Sequence, residues 1–505
     1  MDQAVARCVY VISDLHLGGV YGETEEGRGF RINTHVKELA EFIRELAQLA
    51  GPPARELVIN GDMVDFLAER EDATPCWRPF TADAGLACTK LVAIAQRDRE
   101  FFEALSDFLE SGHRLTVLTG NHDTELVLPE VRCKLKAILG VKPGHDFEFI
   151  HNGEAYAVGD ALIEHGNRYD AWNVVDYDAL RRLSSLQSRR QEAPEKYKFK
   201  PPAGSCMVSW VINEIKEDYK FIDLLKPETD VAIPLLLALE PGYRILLATV
   251  ARLGLRARQH RMEQAALPSY AGDIHAESGP EATTYISTMS TVDEDELPAA
   301  DDDAAALCRV LDETLGGKSG EFLQMVDPAS GSVGAVAGDI SSVGQFVDRS
   351  LGMAHLLLAK DTADIGARIP AVLQALRALD KDRSFDPGVE TAAEYADAAN
   401  ELFKSGFRYV IFGHTHLAKK VELQPGCWYL NSGTWADLMQ LPELIVKADG
   451  SDARANLEPF VQALAGGNLR PWIQFNPTYV QLDLDANERV LRAEVKNYNR
   501  HVKES

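Results

Sequence analysis

Six short runs of apolar and β-branched residues, CVYVIS (8–13), LVIN (57–60), LTVLT (115–119), ALIE (161–164), YVIF (409–412) and WYLN (428–431), are each followed at once by Gly, Asp, His or Ser. Residues of that kind stop a strand and open a loop, so the runs read as strands whose carboxyl ends carry polar side chains. Between the first two runs Val36, Leu39, Phe42, Ile43, Leu46 and Leu49 recur at helical spacing until Gly51-Pro52-Pro53. Phe101, Phe102, Leu105, Phe108 and Leu109 do the same before the third, and a helical pattern over about 392–403 leads into the fifth. Strand alternating with helix predicts an α/β layered core.

The alternation lapses between roughly residues 180 and 390. A chain of 505 residues also exceeds the ~250–300 at which one core stops growing. We therefore read 1–180 and 390–505 as the core and 181–389 as a mostly helical insertion that serves as a lid. The insertion opens on a basic, Gln- and Ser-rich stretch and contains an acidic loop near 293–303. Its glycines at 331, 334 and 338 do not form G-x-G-x-x-G, which argues against a dinucleotide loop. The apolar run 231–239 is broken by Glu240-Pro241-Gly242 and is far short of the ~20 helical residues that span a bilayer. It reads as a buried or interfacial helical pair. Arg252, Arg256, Arg258 and Arg261 nearby leave open peripheral contact with an anionic membrane as well as a buried hairpin with a solvated basic end.

Lys and Arg number 52 against 77 Asp and Glu, a formal net charge of −25. That field disfavours nucleic acid and any phosphate-bearing ligand unless a local basic patch or a bound dication reverses it. The seven cysteines are odd in number, scattered and never C-x-x-C, so they read as reduced thiols. With no charged n-region and apolar h-region at the start of the chain, the expected location is cytoplasmic.

At the strand tips stand Asp14 and His16 in SDLHLGG, Asp62 and Asp65 in NGDMVD, Asn121, His122 and Asp123 in GNHD, His165 in EHGN, and His414 and His416 in GHTH. Singly, each has an ordinary reading as a turn, a helix cap or a hydrogen-bonded surface histidine. Together, five strand ends of one sheet deliver oxygens and imidazoles to one edge, where sites in such sheets collect. Gathering these carboxylates without cations would cost several kcal/mol in repulsion and desolvation, and divalent ions remove that cost. Asp14 with His16, and His414 with His416, are two apart, and in extended backbone such residues face the same way. Asp123 fits a cap or a partner of a ligand histidine and is left unassigned.

The ordered set D-x-H, G-D-x-x-D, G-N-H-D, H and G-H-x-H resembles the calcineurin-like metallophosphoesterase superfamily, over about residues 8–170 and 390–435. NSGTW (431–435) is similar to the segment that closes that family's core. The resemblance implies a two-sheet αββα sandwich and two divalent ions at its strand ends, with Mn²⁺ favoured and Fe or Zn²⁺ also suited to O and N ligands. It implies that Asp14, His16, Asp62 and His416 hold one ion and Asp62, Asn121, His165 and His414 the other, with Asp62 bridging. It implies that His122, oriented by Asp65, is the general acid, and that a water bridging ions ~3.5–4 Å apart is the nucleophile. Protein phosphatases of the superfamily have Arg and Glu where Phe66 and Asp123 stand here, which argues against a phosphoprotein substrate. ISDLHLGG, GNHD and EHGNRYD are more similar to the branch of UDP-2,3-diacylglucosamine pyrophosphohydrolase-like enzymes, although that branch usually has Arg where His122 stands. The expected activity is hydrolysis of a phosphodiester or pyrophosphate bond in a small-molecule or lipid-linked substrate. Nuclease or phosphomonoesterase activity, and a non-catalytic scaffold of the same fold, are the alternatives.

Overall fold

Strands as uniformly apolar as VYVI and LVIN must be covered on both faces. A computed structural model shows how this is done. It describes residues 4–19, 31–49, 51–70, 77–194, 198–226, 228–243, 356, 365–376, 383–446 and 450–498. The acidic run at 293–303, the arginines at 252–261 and the glycines at 331–338 lie outside the described residues.

The chain divides into two compact units, one of residues 1–225, 382–440 and 469–505, the other of 226–381 and 441–468. The core thus reaches 45 residues beyond the expected boundary at 180, and 441–468 belongs with the insertion. In the second unit, the helix Glu228–Leu239 carries the apolar run. Val231, Leu235, Leu236 and Leu237 in it are buried. No described helix is long and apolar enough to cross a membrane.

The first unit is an α/β fold with two mixed sheets. The six-stranded sheet is built from β1 (Arg7–Ile12), β2 (Ala54–Asn60), β3 (Arg114–Leu118) and β4 (Phe147–Ile150), all parallel, with β13 (Thr478–Leu484) and β14 (Val490–Asn497) added antiparallel on the far side of β1. The five-stranded sheet has the order β5 (Tyr156–Val158), β6 (Ala161–Ile163), β8 (Tyr409–Phe412), β10 (Cys427–Asn431), β9 (Lys419–Gln424), and its three central strands are parallel. Three short strands, β7 (Leu225–Lys226), β11 (Leu438–Gln440) and β12 (Ile473–Gln474), form a third small sheet.

The two sheets are compatible with the expected two-sheet sandwich, while the reading of five strand ends on one sheet is corrected. β1, β2 and β3 lie in one sheet, while β6 and β8 lie in another, because the chain leaves edge strand β4 into the β5–β6 hairpin and β6 then pairs with β8. Strand ends are visible in a sequence; the partner of a strand is not. Val9, Val11, Val58 and Leu118 of the first sheet share one buried cluster with Ala161, Ile163, Ile411 and Leu430 of the second. The two inner faces thus make a common core.

Crossover helices set the parallel order. α1 (Val36–Gln48) links β1 to β2 and buries Leu39, Ala40, Phe42, Ile43 and Leu46, the face its helical spacing predicts. Phe42 lies 5.0 Å, ring to ring, from both Trp435 and Tyr479. α2 (Ala84–Arg97) is capped by Asp83, whose carboxylate accepts from Gly85 and Leu86, and α3 (Arg99–Glu110) follows before β3. α4 (Pro129–Ile138) then leads to β4.

Glu125, in the turn after the β3 loop, is buried and accepts from the Thr81 amide at 2.9 Å just ahead of α2. Burial pushes its pKa up to about 7 against the pull of that hydrogen bond and of Lys90. A carboxyl raised in the folded state contributes stability that is fully present below its unfolded pKa of about 4.3 and is lost as pH rises toward 7. The stability advantage of Glu125→Gln over the wild type, from urea unfolding, should grow by about 1.4 kcal/mol per pH unit between pH 5 and 7. A gap constant over that range would show that the carboxyl titrates alike in both states.

Candidate metal centre

Each candidate loop leaves its strand by a turn that a strand cannot make. Among the described residues seven non-glycine residues have positive φ, and five of them are Asp14 (53°), His16 (43°), Asp62 (50°), His414 (68°) and His416 (63°). Left-handed backbone costs about 1–3 kcal/mol per such residue and persists only where the surroundings over-determine it. This corrects the expected geometry. Asp14–His16 and His414–His416 are aimed together by pairs of left-handed residues rather than by extended alternation.

Backbone bonds hold the kinks in place. Leu15 and His16 donate to the Asp62 carbonyl at 2.9 and 3.0 Å, and Leu17 donates to Met63 at 3.1 Å, so the D-x-H loop is laid along the G-D-x-x-D loop. His414 N donates to both oxygens of Asp14, at 3.1 and 2.9 Å, across 400 residues of chain. The NSGT segment braces the same loop, with Ser432 Oγ 2.7 Å from Ser13 Oγ and Thr434 Oγ1 donating to the Asp14 carbonyl at 2.7 Å.

The glycine of each motif is where a neighbouring motif comes closest. A Cβ on Gly61 would lie 2.5 Å from His165 Nδ1, one on Gly120 2.7 Å from Asp62 Cγ, and one on Gly413 2.7 Å from Asp14 Oδ2. None of these leaves room for a methyl group.

The structure brings seven of the candidate side chains into close clusters. Asp14, His16 and His416 offer ligand atoms within 4.8 Å of one another, as do His16, Asp62 and His122, and Asp62, His165 and His414. His16 Nε2 and His416 Nε2 approach to 3.1 Å, and His165 Nε2 lies 3.2 Å from Asp62 Oδ2. His165 Nδ1 faces the Asn60 carbonyl at 2.8 Å and so carries the hydrogen, leaving Nε2 as the inward atom. Asn121 Nδ2 donates to Asn173 at 3.3 Å. Asn121 Oδ1 is buried without a hydrogen-bond partner, a costly state for a polar atom that a cation relieves. Buried O and N donors with no thiolate suit Mn²⁺, Fe or Zn²⁺.

Burial disfavours the charge on His165, yet the Asp62 carboxylate outweighs it and pushes the pKa up to about 10. His122 follows the same pattern: burial lowers its pKa, but Asp65 and Asp62 push it up to about 9. Asp62 and Asp65 are held well below the usual carboxylate range, burial notwithstanding, by the facing histidines. Asp65 is both cap and partner. Its Oδ1 accepts from Leu67 and Ala68 at 3.0 and 3.2 Å and faces His122 Nδ1 at 3.2 Å.

Asp123 stands at the N-cap of the turn Thr124–Val127, but its side chain makes no capping bond. It accepts from Gly120 N at 2.7 Å and Met63 N at 2.9 Å, tying the two Gly-rich loops together, and burial beside Asp62 pushes its pKa up. Sequence reasoning passed over Asp170, which meets His414 Nε2 at 3.1 Å and also accepts from Trp172 N and Asn173 Nδ2. That contact leaves His414 Nδ1 for a ligand. Its position at the end of EHGNRYD was the available signal. Ser13, directly before Asp14 and hydrogen-bonded to it, was passed over as well.

Compared with protein-family models, with curated proteins and with solved structures, the chain matches none.

Gly120→Ala, at a residue with ordinary φ, should displace the Asp62 carboxylate without unfolding the chain. The expected result is an unchanged far-ultraviolet circular dichroism spectrum with metal affinity about 10–100-fold weaker, read by titration with Mn²⁺. Undiminished affinity would show that Asp62 does not depend on that close approach.

Proposed function

We propose that the chain is a phosphoester hydrolase of the calcineurin-like metallophosphoesterase superfamily, using two divalent ions to cleave a phosphodiester or pyrophosphate bond in a small-molecule or lipid-linked substrate. One observation carries this reading: the single carboxylate Asp62 belongs to two clusters of ligand atoms; the buried Asn121 Oδ1, which has no hydrogen-bond partner, adds to it. Asp14, His16, Asp62 and His416 would hold one ion, and Asp62, Asn121, His165 and His414 the other. When bound, such ions supply Lewis acidity toward phosphoryl oxygens and activate water near neutral pH.

The rest falls to the chain's own side chains. Asp65 fixes His122 through Nδ1, which directs Nε2 as the atom that gives a proton to the leaving oxygen. Asp170 orients His414, and Asn60 orients His165. In a protein of net charge −25, the ions would also reverse the local field for an anionic substrate.

Elemental analysis paired with assays on phosphomonoesters, phosphodiesters, pyrophosphates and single-stranded DNA tests the reading. Wild type should copurify with or take up two equivalents of a transition metal and hydrolyse a chromogenic phosphodiester. Asp62→Ala should lose both properties, and a variant keeping full metal content and full activity would falsify the assignment.

His122→Ala should slow hydrolysis about 10²–10⁴-fold for poor leaving groups and much less for p-nitrophenolate. An equal loss across leaving groups would remove its role as acid.

A further inference from the structure

The carboxyl ends of the parallel strands carry the centre described above; their amino ends carry something else. There a cavity of about 370 Å³ is lined by Arg7, Arg55 and Arg114, by His113, and by a single carboxylate, Asp146. Two of the three guanidiniums are already neutralised. Arg7 is paired with Glu56 and Glu488, and Arg114 with Glu56, Asp146 and Glu148.

Arg55 is different. Its residue is 9% exposed, its Nη1 donates only to the Gly51 carbonyl at 2.9 Å, and its Nε is buried without a partner. No carboxylate pairs with it among the described residues, although the chain carries 77 acidic side chains. A buried, uncompensated guanidinium is costly unless an anion completes it, and its planar fork fits two oxygens of a phosphate. His113 also lines the cavity, with its Nε2 facing the Ala47 carbonyl at 3.3 Å.

We propose that this cavity is a second, non-catalytic site that binds a small phosphate-bearing molecule, with Arg55 as its anchor and His113 beside it. The volume sits at the small end of the ~300–1,000 Å³ range of ligand pockets, the size of a phosphorylated metabolite rather than of a polymer. Glu56, fully buried, clamps Arg7 and Arg114 and accepts from Thr116 at 2.6 Å, so the walls are built before any ligand arrives. The Cβ directions of Gly51 and Gly112 meet nothing within 4 Å, which leaves the mouth open.

Isothermal titration of the full-length protein with sodium pyrophosphate, and separately with inorganic phosphate and sulfate, tests the site. Wild type should bind pyrophosphate, and Asp62→Ala, whose metal centre no longer holds the anion, should keep one site; the Arg55 and Ser111 substitutions are read in that Asp62→Ala background. Arg55→Gln should weaken binding at least about tenfold. Ser111→Glu, which places a carboxylate on the exposed lining without touching the core, should do the same and guards against a misfolded arginine variant. Absence of binding in wild type, loss of binding in Asp62→Ala, or unchanged affinity in Ser111→Glu would each overturn the proposal. Sulfate binding as tightly as pyrophosphate would overturn the assignment to phosphate chemistry.

Discussion

Asp62 is the residue through which the site becomes one object. Its Oδ1 accepts from the His122 amide at 2.8 Å and its Oδ2 faces His165 at 3.2 Å and His16 at 3.9 Å, while its carbonyl takes the amides of Leu15 and His16. Loops following β1, β2, β3 and β6 are therefore referred to a single carboxylate. Because a buried carboxylate with full charge is expensive, each of these contacts is needed, and the imidazoles around it are drawn toward the cationic form. Removing any one neighbour leaves the others facing an uncompensated charge.

Much of this was legible in the sequence, for a reason particular to parallel strands. β1, β2, β3 and β8 are buried on both faces and so appear as unbroken apolar runs that end abruptly in polar residues. The strands that went unnoticed are of another kind. β9, KKVELQ, and β14, VLRAEVKN, are mostly half-exposed or exposed strands at sheet edges and carry the lysines that keep edges from pairing further. α2 escaped for a similar reason, since its buried stripe runs through Ala87, Lys90, Leu91, Ile94 and Ala95 rather than through large apolar side chains alone.

The candidate site was readable as a list of residue types, while its geometry was not. Nothing in D-x-H announces left-handed backbone at both Asp14 and His16; that conformation is imposed by the neighbouring loop, whose carbonyls collect the amides between and beside them. Asp170 lay in plain view, but its role depends on how far the chain folds back before His414. Likewise the division of the strand ends between two sheets follows from β6 choosing β8, a partner more than two hundred residues on. Long-range pairing is decided by packing of the whole inner cluster, and no local window contains it.

The place of β1 in its sheet has a further consequence for how the chain is made. On one side β1 meets β2, which emerges from the ribosome shortly after it; on the other it meets β13, and Cys8 finds Asp483 only 475 residues later. Throughout synthesis of the intervening chain the nascent protein carries an apolar strand with one ladder of amides and carbonyls unsatisfied. Such an edge invites pairing with a neighbouring nascent chain on the same message. Productive folding of this protein is therefore a race between the closing β13–β14 hairpin and its copies on the polysome, and cellular yield should depend on whatever shields that edge until translation ends.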